Sequence, residues 1–246
     1  MTELFHKQTT LKQCLNNLCC NHLGFKKRKY SYYKALKDGV FSTLNFGIAH
    51  YGIANHSFIN IMVGIIYEDV EMLSYKLTGY NRLAIMQPQI GIQIGYLMPE
   101  KKFKEWEYIE GIDNTAICND IVFNIQNYAF PFQAKYLDPL TFFNSIDDIN
   151  LTSYYIRDRY LPILYYLRGD KSTGLQVIEK AIERQLHPNN PEIPNIEDAS
   201  VELFFGPGYG KVDSTYLTFA ENYKNLPEPS PNNPLTHRST PTASGT

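Results

Sequence analysis

His50 and His56 lie six residues apart and flank a segment that holds Tyr51 and Asn55. Two loop imidazoles could share a metal ion or divide an acid–base task, because each titrates close to neutrality. No cysteine and no dedicated carboxylate pair accompanies them in sequence, so exposed loop histidines are the ordinary reading. Glu100-Lys101-Lys102 matches the Glu-x-Lys half of a metal-dependent nuclease strand. That chemistry needs a preceding acid to hold Mg²⁺ and a lysine to stabilise developing charge. The nearest upstream acid is Glu71, too far back for an adjacent-strand placement. His50, His56 and Glu100 are therefore the catalytic candidates only if the chain is an enzyme.

Other constellations fall short on spacing. Cys14, Cys19, Cys20 and His22 hold zinc-ligand chemistry, but they follow one another along a single expected helix. Neighbours on a helix point about 100° apart, and a structural zinc site wants cysteine pairs that bracket a turn. Gly206-Pro-Gly-Tyr-Gly-Lys211 has three residues between its outer glycines where a phosphate loop has four, and Val212 follows the lysine. Lys26 to Lys29 beside Tyr30, Tyr32 and Tyr33 mixes bases with aromatics as a nucleic-acid face does. The net charge of -2 works against that use, so the run reads as a solvated corner on a turn. No serine nucleophile elbow, HExxH, dinucleotide fingerprint or CxxC is present. No cofactor or metal is expected.

Two features point to binding. Gln89 to Met98 alternates Ile90, Ile92, Ile94, Tyr96 and Met98 with Gln89, Gly91, Gln93, Gly95 and Leu97. Period-2 alternation reads as a half-buried strand. A strand with glycines along one face invites something large there, so Gly91, Gln93 and Gly95 form a candidate ligand strip. Phe103 to Ile109 carries charge on both faces and reads as an edge strand. It holds the chain's single tryptophan. Trp106 and Tyr108, ringed by Glu105 and Glu107, are the candidate anchors for a protein partner.

These residues need a scaffold, and the pattern supplies one. Residues 3–23 form an amphipathic helix with Leu4, Leu11, Leu15, Leu18 and Leu23 on one stripe, closed by Gly24. A Tyr-rich strand from 30 follows, then Asp38-Gly39 as a two-residue hairpin turn into a strand from Val40 to Ile48. A third strand runs from Phe58 to Tyr67, and a short helix over 68–79 ends at Gly79. After the edge strand the chain turns helical. One helix starts near Asn114 or Thr115 and stops at Pro131. A short one opens on Asp138-Pro139. Residues 152–168, interrupted or restarted at Pro162, pair with the stripe of Leu175, Ile178, Ala181, Ile182 and Leu186 as a helical hairpin about Gly169-Asp170. Residues 187–200 are irregular, 204–210 form a loop, Ser214–Asn225 form a last helix, and the tail from 227 is disordered.

At 246 residues, the chain can build a core without disulfide or metal staples. Its N-terminus shows no apolar leader, no run is long enough to span a bilayer, and its four cysteines are irregularly placed. Those features predict a cytoplasmic protein with free thiols and no membrane partner.

Leu23-Gly-Phe-Lys-Lys-Arg, the Tyr-Tyr strand, Asp38-Gly39-Val and Leu44-Asn-Phe resemble the opening of a bacterial domain-of-unknown-function family. Gly95-Tyr-Leu-Met-Pro, Trp106 and Tyr128-Ala-Phe-Pro-Phe before Asp138-Pro139 are similar to its second half. The resemblance covers about residues 5–146. This chain has Gly47 where the family often has Gln, and it continues beyond 150. The resemblance implies an α+β domain and no reaction. Some domains of this kind stand beside polymorphic toxin systems, which implies an immunity role by analogy.

The resulting expectation is an α+β fold: an antiparallel sheet of about five strands with helices on one face. The domain spans 1–150, a helical hairpin 151–190, a loop with a short helix 191–226, and a disordered tail 227–246. The expected function is a non-catalytic protein-interaction domain, an immunity or adaptor protein. The alternatives are a hydrolase or nuclease-like enzyme and a small-ligand-binding module.

Overall fold

The computed structural model describes residues 10–28, 31–79, 88–146, 154–186 and 212–229. The expected helical start over 3–9, the irregular 187–200, the 204–210 loop with its Gly206–Lys211 run, and the tail from 230 lie outside the described residues.

The fold is α+β. By clustering of contacts it divides into two compact units: Met1–Glu68 with Met86–Thr152, and Asp69–Ile85 with Ser153–Thr246. The first holds a six-stranded antiparallel sheet: β1 (Lys26–Arg28), β2 (Ser31–Lys37), β3 (Val40–Ala49), β4 (His56–Tyr67), β5 (Ile90–Gln93) and β6 (Trp106–Ile109). The order is β1-β2-β3-β4-β5, with β6 also pairing β4. The strand beyond the expected five is β1. The basic run therefore sits on an edge strand and not on a turn, because Lys26 to Arg28 pair back onto Tyr33 to Ser31. Gly39 takes the left-handed conformation (φ 69°) that the β2–β3 turn requires, and Lys37 pairs with Val40 across it.

Register decides the faces. Leu44 opposes Val63, Phe46 opposes Ile61, and Trp106 opposes Ile59. These residues point inward, where α1 (Leu11–Asn16, continued as a π turn over Asn17–His22) and α3 (Thr115–Asn124) cover them. Thr10 caps α1 by accepting from the Gln13 N–H. Helix α3 does not stop at Pro131. It passes through a π turn (Ile125–Ala129) into α4 (Phe130–Lys135), so the helical rod continues past the proline. The wider turn just before the ring relieves the clash that proline makes with the carbonyl four residues back. Helix α5 (Pro139–Ser145) opens as expected, with Asp138 accepting from the Leu140 N–H.

Strand β5 is less than half the expected length. It ends at Gln93, and Ile94–Tyr96 turn as a 3₁₀ helix. The Gln93 side chain drives this: its Oε1 accepts from the Gly95 N–H (2.8 Å) and its Nε2 donates to the Lys104 carbonyl (2.5 Å). A side chain that caps its own backbone competes with the ladder and ends the strand.

The second unit is helical: α2 (Glu68–Leu77), α6 (Tyr154–Leu167), α7 (Lys171–Leu186) and α8 (Ser214–Lys224). Gly79 closes α2 at φ 77°. Helices α6 and α7 form the expected hairpin. Pro162 lies inside α6, and the helix neither breaks nor restarts there. Its missing N–H leaves the Asp158 carbonyl without a helical donor, and the Tyr216 hydroxyl of α8 donates to it (3.1 Å). One helical repeat on, Tyr223 donates to the Pro162 carbonyl (2.8 Å). Gly174 lets α7 close on this pair, since a Cβ there would meet the Tyr223 ring and the Pro162 carbonyl. Helix α2 belongs to the same unit, through Tyr160 to Glu71 (2.7 Å) and Asn222 to the Leu77 carbonyl (2.8 Å). The chain beyond α8 is not free at once: Lys171 donates to the Leu226 carbonyl and pairs with Glu228 (3.6 Å).

Candidate functional site

The outer face of β4 and β6 gathers three of the candidate residues, His56, Glu105 and Glu107. Tyr51 (φ 41°), Gly52 (φ 73°) and Asn55 (φ 63°) wind the β3–β4 connection tightly. The Asn55 carbonyl then accepts from the Glu110 N–H (2.8 Å), which pins the end of β6 beside the loop. The pairing of His56 with Ile109 and of Phe58 with Glu107 sends those four side chains outward. There His56 Nδ1 meets Glu107 Oε1 at 2.6 Å. The exposed Tyr51 hydroxyl donates to Glu105 (3.1 Å), and its ring packs on Phe58 with centroids 4.9 Å apart. The Glu105 carboxylate holds the Tyr51 phenol above its ordinary pKa by accepting a hydrogen bond from it. Tyr51 is thus a fixed neutral donor.

The histidines converge on no catalytic centre. His50 Nδ1 lies 3.3 Å from the His56 carbonyl and 3.4 Å from Ser57 Oγ. A protonated Nδ1 donates to the carbonyl and cannot then act as base toward Ser57. Ser57 itself is buried, on the inward side of β4. His56 is engaged with Glu107, and Glu100 sits in an exposed turn with no hydrogen bond or ion pair to either histidine among the described residues. No group of three or more His, Cys, Asp or Glu gathers to hold a metal ion among the described residues. Cys14 meets Cys118 across the core. Their mutual hydrogen bond raises the Cys14 pKa and lowers that of Cys118, while burial raises Cys19. All four cysteines are free thiols.

The expected anchors are corrected. Trp106 and Tyr108 are 5% and 2% exposed, so neither can present itself to a partner. Their alternation with Glu105 and Glu107 is as the sequence indicates, but the aromatic side is the inner one. Opposite Trp106 lies buried Ile59, and Trp106 Nε1 donates to Asp120 (2.6 Å). Lys104, the charge that argues against an inward face, lays its ammonium over the Trp106 ring at 5.4 Å. Burial pushes the Tyr108 phenol up to about 12.

The Gly91–Gln93–Gly95 strip is not continuous. Gly91 lies open, its nearest neighbour for an added Cβ being the Val63 carbonyl at 4.0 Å. Gln93 has both ends of its amide occupied. Gly95 is buried beneath the Lys102 carbonyl and Lys104. Phe58 belongs to the same outer face, and the sequence gives no sign of this because only the β4–β6 register sets it opposite Glu107; Met62 lies on that face further along β4, opposite Gln93. The chain matches no protein-family model, no curated protein and no solved structure.

Proposed function

We propose that this chain is a non-catalytic protein-interaction domain of the immunity or adaptor kind, and that it works in the cytoplasm. The observation that carries the reading is the outer sheet face. Tyr51 is 66% exposed and held in place by Glu105 and Phe58; Met62 is exposed on the same face, four residues along β4 from Phe58; Glu107 and His56 form the rim. Aromatic and methionine side chains that need no further ordering are what interfaces concentrate. The carboxylates select a partner with lysine or arginine flanking an apolar side chain. Four free thiols suit a reducing compartment. No helix among the described residues is long and apolar enough to cross a membrane. The immunity role rests on the family resemblance of residues 5–146.

A photo-crosslinking amino acid at Tyr51, compared with one at exposed Lys180 on α7, tests this in cells. The expected result is one discrete adduct from position 51, none from 180, and loss of the adduct in Glu105→Lys/Glu107→Lys. Equal labelling from both positions, or no adduct from 51, overturns the reading.

A further inference from the structure

We infer that the two edges of the sheet are complementary, so that a second copy of this chain docks head-to-tail, β1 of one copy along β6 of the next. Among the described residues β1 pairs only with β2, and β6 only with β4; on the side of β6 away from β4 the Asn114 side chain already accepts from the Ile109 N–H and donates to the Ile109 carbonyl, so strand pairing there is limited to the stretch around Glu107. Lys26, Lys27 and Arg28 are all exposed, which makes β1 wholly cationic. Glu105, Glu107 and Glu110 give the β6 edge the opposite sign. Lys101 and Lys102 lie in the turn before it, and Lys104 is laid over the inward Trp106.

Charge on an edge strand ordinarily keeps sheets apart. That protection holds here for like edges only. Two β1 strands repel each other, as do two β6 strands, whereas β1 against β6 brings unlike charges together. The arrangement therefore disfavours a symmetric dimer and favours a heterologous contact. Several of the charges are already positioned. Lys27 Nζ is held by Asn16 Oδ1 (2.8 Å) over the Tyr32 ring, Glu105 by Tyr51, and Glu107 by His56. Charges fixed before contact lose less entropy on docking. The edges are short, so the association is weak, concentration-dependent and sensitive to salt.

Sedimentation velocity of the full chain over a hundredfold concentration range tests this. At low salt the weight-average sedimentation coefficient should rise with concentration. In about 1 M salt, where the screening length falls to about 3 Å, the rise should vanish. Lys26→Glu/Lys27→Glu/Arg28→Glu and Glu105→Lys/Glu107→Lys/Glu110→Lys should each stay monomeric alone and associate when mixed, since each then offers the edge the other needs. A wild-type chain monomeric throughout, association that survives salt or either reversal, or variants that melt like wild type yet fail to associate on mixing would overturn the proposal. If a reversal shifts the melting midpoint, Lys26→Gln/Arg28→Gln replaces it and must weaken the association; unchanged association overturns the proposal. The β1 reversal separates this from the partner reading: a position-51 adduct that survives it belongs to another protein, and one that disappears with it is the second copy of this chain.

Discussion

Trp106 gives one fluorescence signal for the whole chain, and its surroundings fix what that signal should be. Buried against Ile59, its emission should be blue-shifted and protected from aqueous quenchers, and Trp106→Ala should cost about 3–5 kcal/mol in denaturant unfolding. A red, quenchable emission would contradict the inward placement. The glycines of the former ligand strip separate in the same assay. Gly95→Ala drives a Cβ into the Lys102 backbone and should destabilise by about 1–3 kcal/mol. Gly91→Ala meets open space and should be neutral or stabilising by up to about 1 kcal/mol, because glycine weakens a strand interior. Equal effects at the two positions would show that the strip is continuous after all. At this scale the sequence carried the alternation, which needs only period 2. It did not carry which side was core, because Lys104 puts a charge on the aromatic side as well, and its cover over the Trp106 ring is a tertiary contact with no sequence signal.

Among the elements, α6 and α8 depend on each other through Pro162. Tyr216→Phe removes the donor that serves the Asp158 carbonyl and should cost about 1 kcal/mol. Pro162→Ala returns an N–H to that carbonyl, so in its background the cost of Tyr216→Phe should fall to near zero. A double-mutant cycle by chemical denaturation reads the coupling, and strict additivity would refute it. Asp170 begins α7 by accepting from the Thr173 N–H (3.0 Å). Bonds from the Thr173 hydroxyl and N–H hold its carboxyl below the ordinary aspartate value. The cap's contribution is therefore fully present above the unfolded pKa of about 3.9 and lost as pH falls through the lower native value. Asp170→Ala should cost about 1 kcal/mol at neutral pH, and the difference from wild type should close in acid. A gap that persists at low pH would show that the carboxylate is not its source. Helix existence was legible here, down to the Asp138-Pro139 start and the Gly169-Asp170 turn. Helix interruption was not: Pro131 reads as a stop and Pro162 as an interruption or restart, but a π turn accommodates the first and a distant tyrosine satisfies the second.

For the whole molecule, the sequence reading keeps 68–79 inside a domain spanning 1–150, whereas Asp69–Ile85 belong to the unit that resumes at Ser153. The composition of residues 68–79 gives no sign that α2 packs with helices more than 80 residues later, because an amphipathic stripe does not name its partner. The sheet, by contrast, was largely visible, since β2, β3 and β4 follow one another and pair locally. A fragment ending at residue 150 keeps α2 and discards Tyr160, Arg159 and Asn222. Val70, Glu71, Ser74 and Leu77, each 1% exposed or less, then face solvent. Hydrogen exchange on that fragment should show 68–77 unprotected while β3 and β4 stay protected. Protection of 68–77 in the fragment would show that α2 folds without the second unit.

The same insertion has a consequence for biosynthesis. The ribosome releases β3 and β4 early, and their ten-residue ladder can close as soon as both emerge. Helix α2 follows at once, but Ser214, the first residue of α8, is made much later. At about 5–20 residues per second, the wait between Leu77 and Ser214 is on the order of 10 s. Until Tyr160 emerges to reach Glu71, and Asn222 after it to reach Leu77, the nascent chain carries a finished hairpin tethered to a helix whose inner face, Val70 and Leu77 beside Glu71 and Ser74, is only partly covered. That face is the segment on which holdase chaperones should act during translation, and from which they should depart once the last helix clears the exit tunnel.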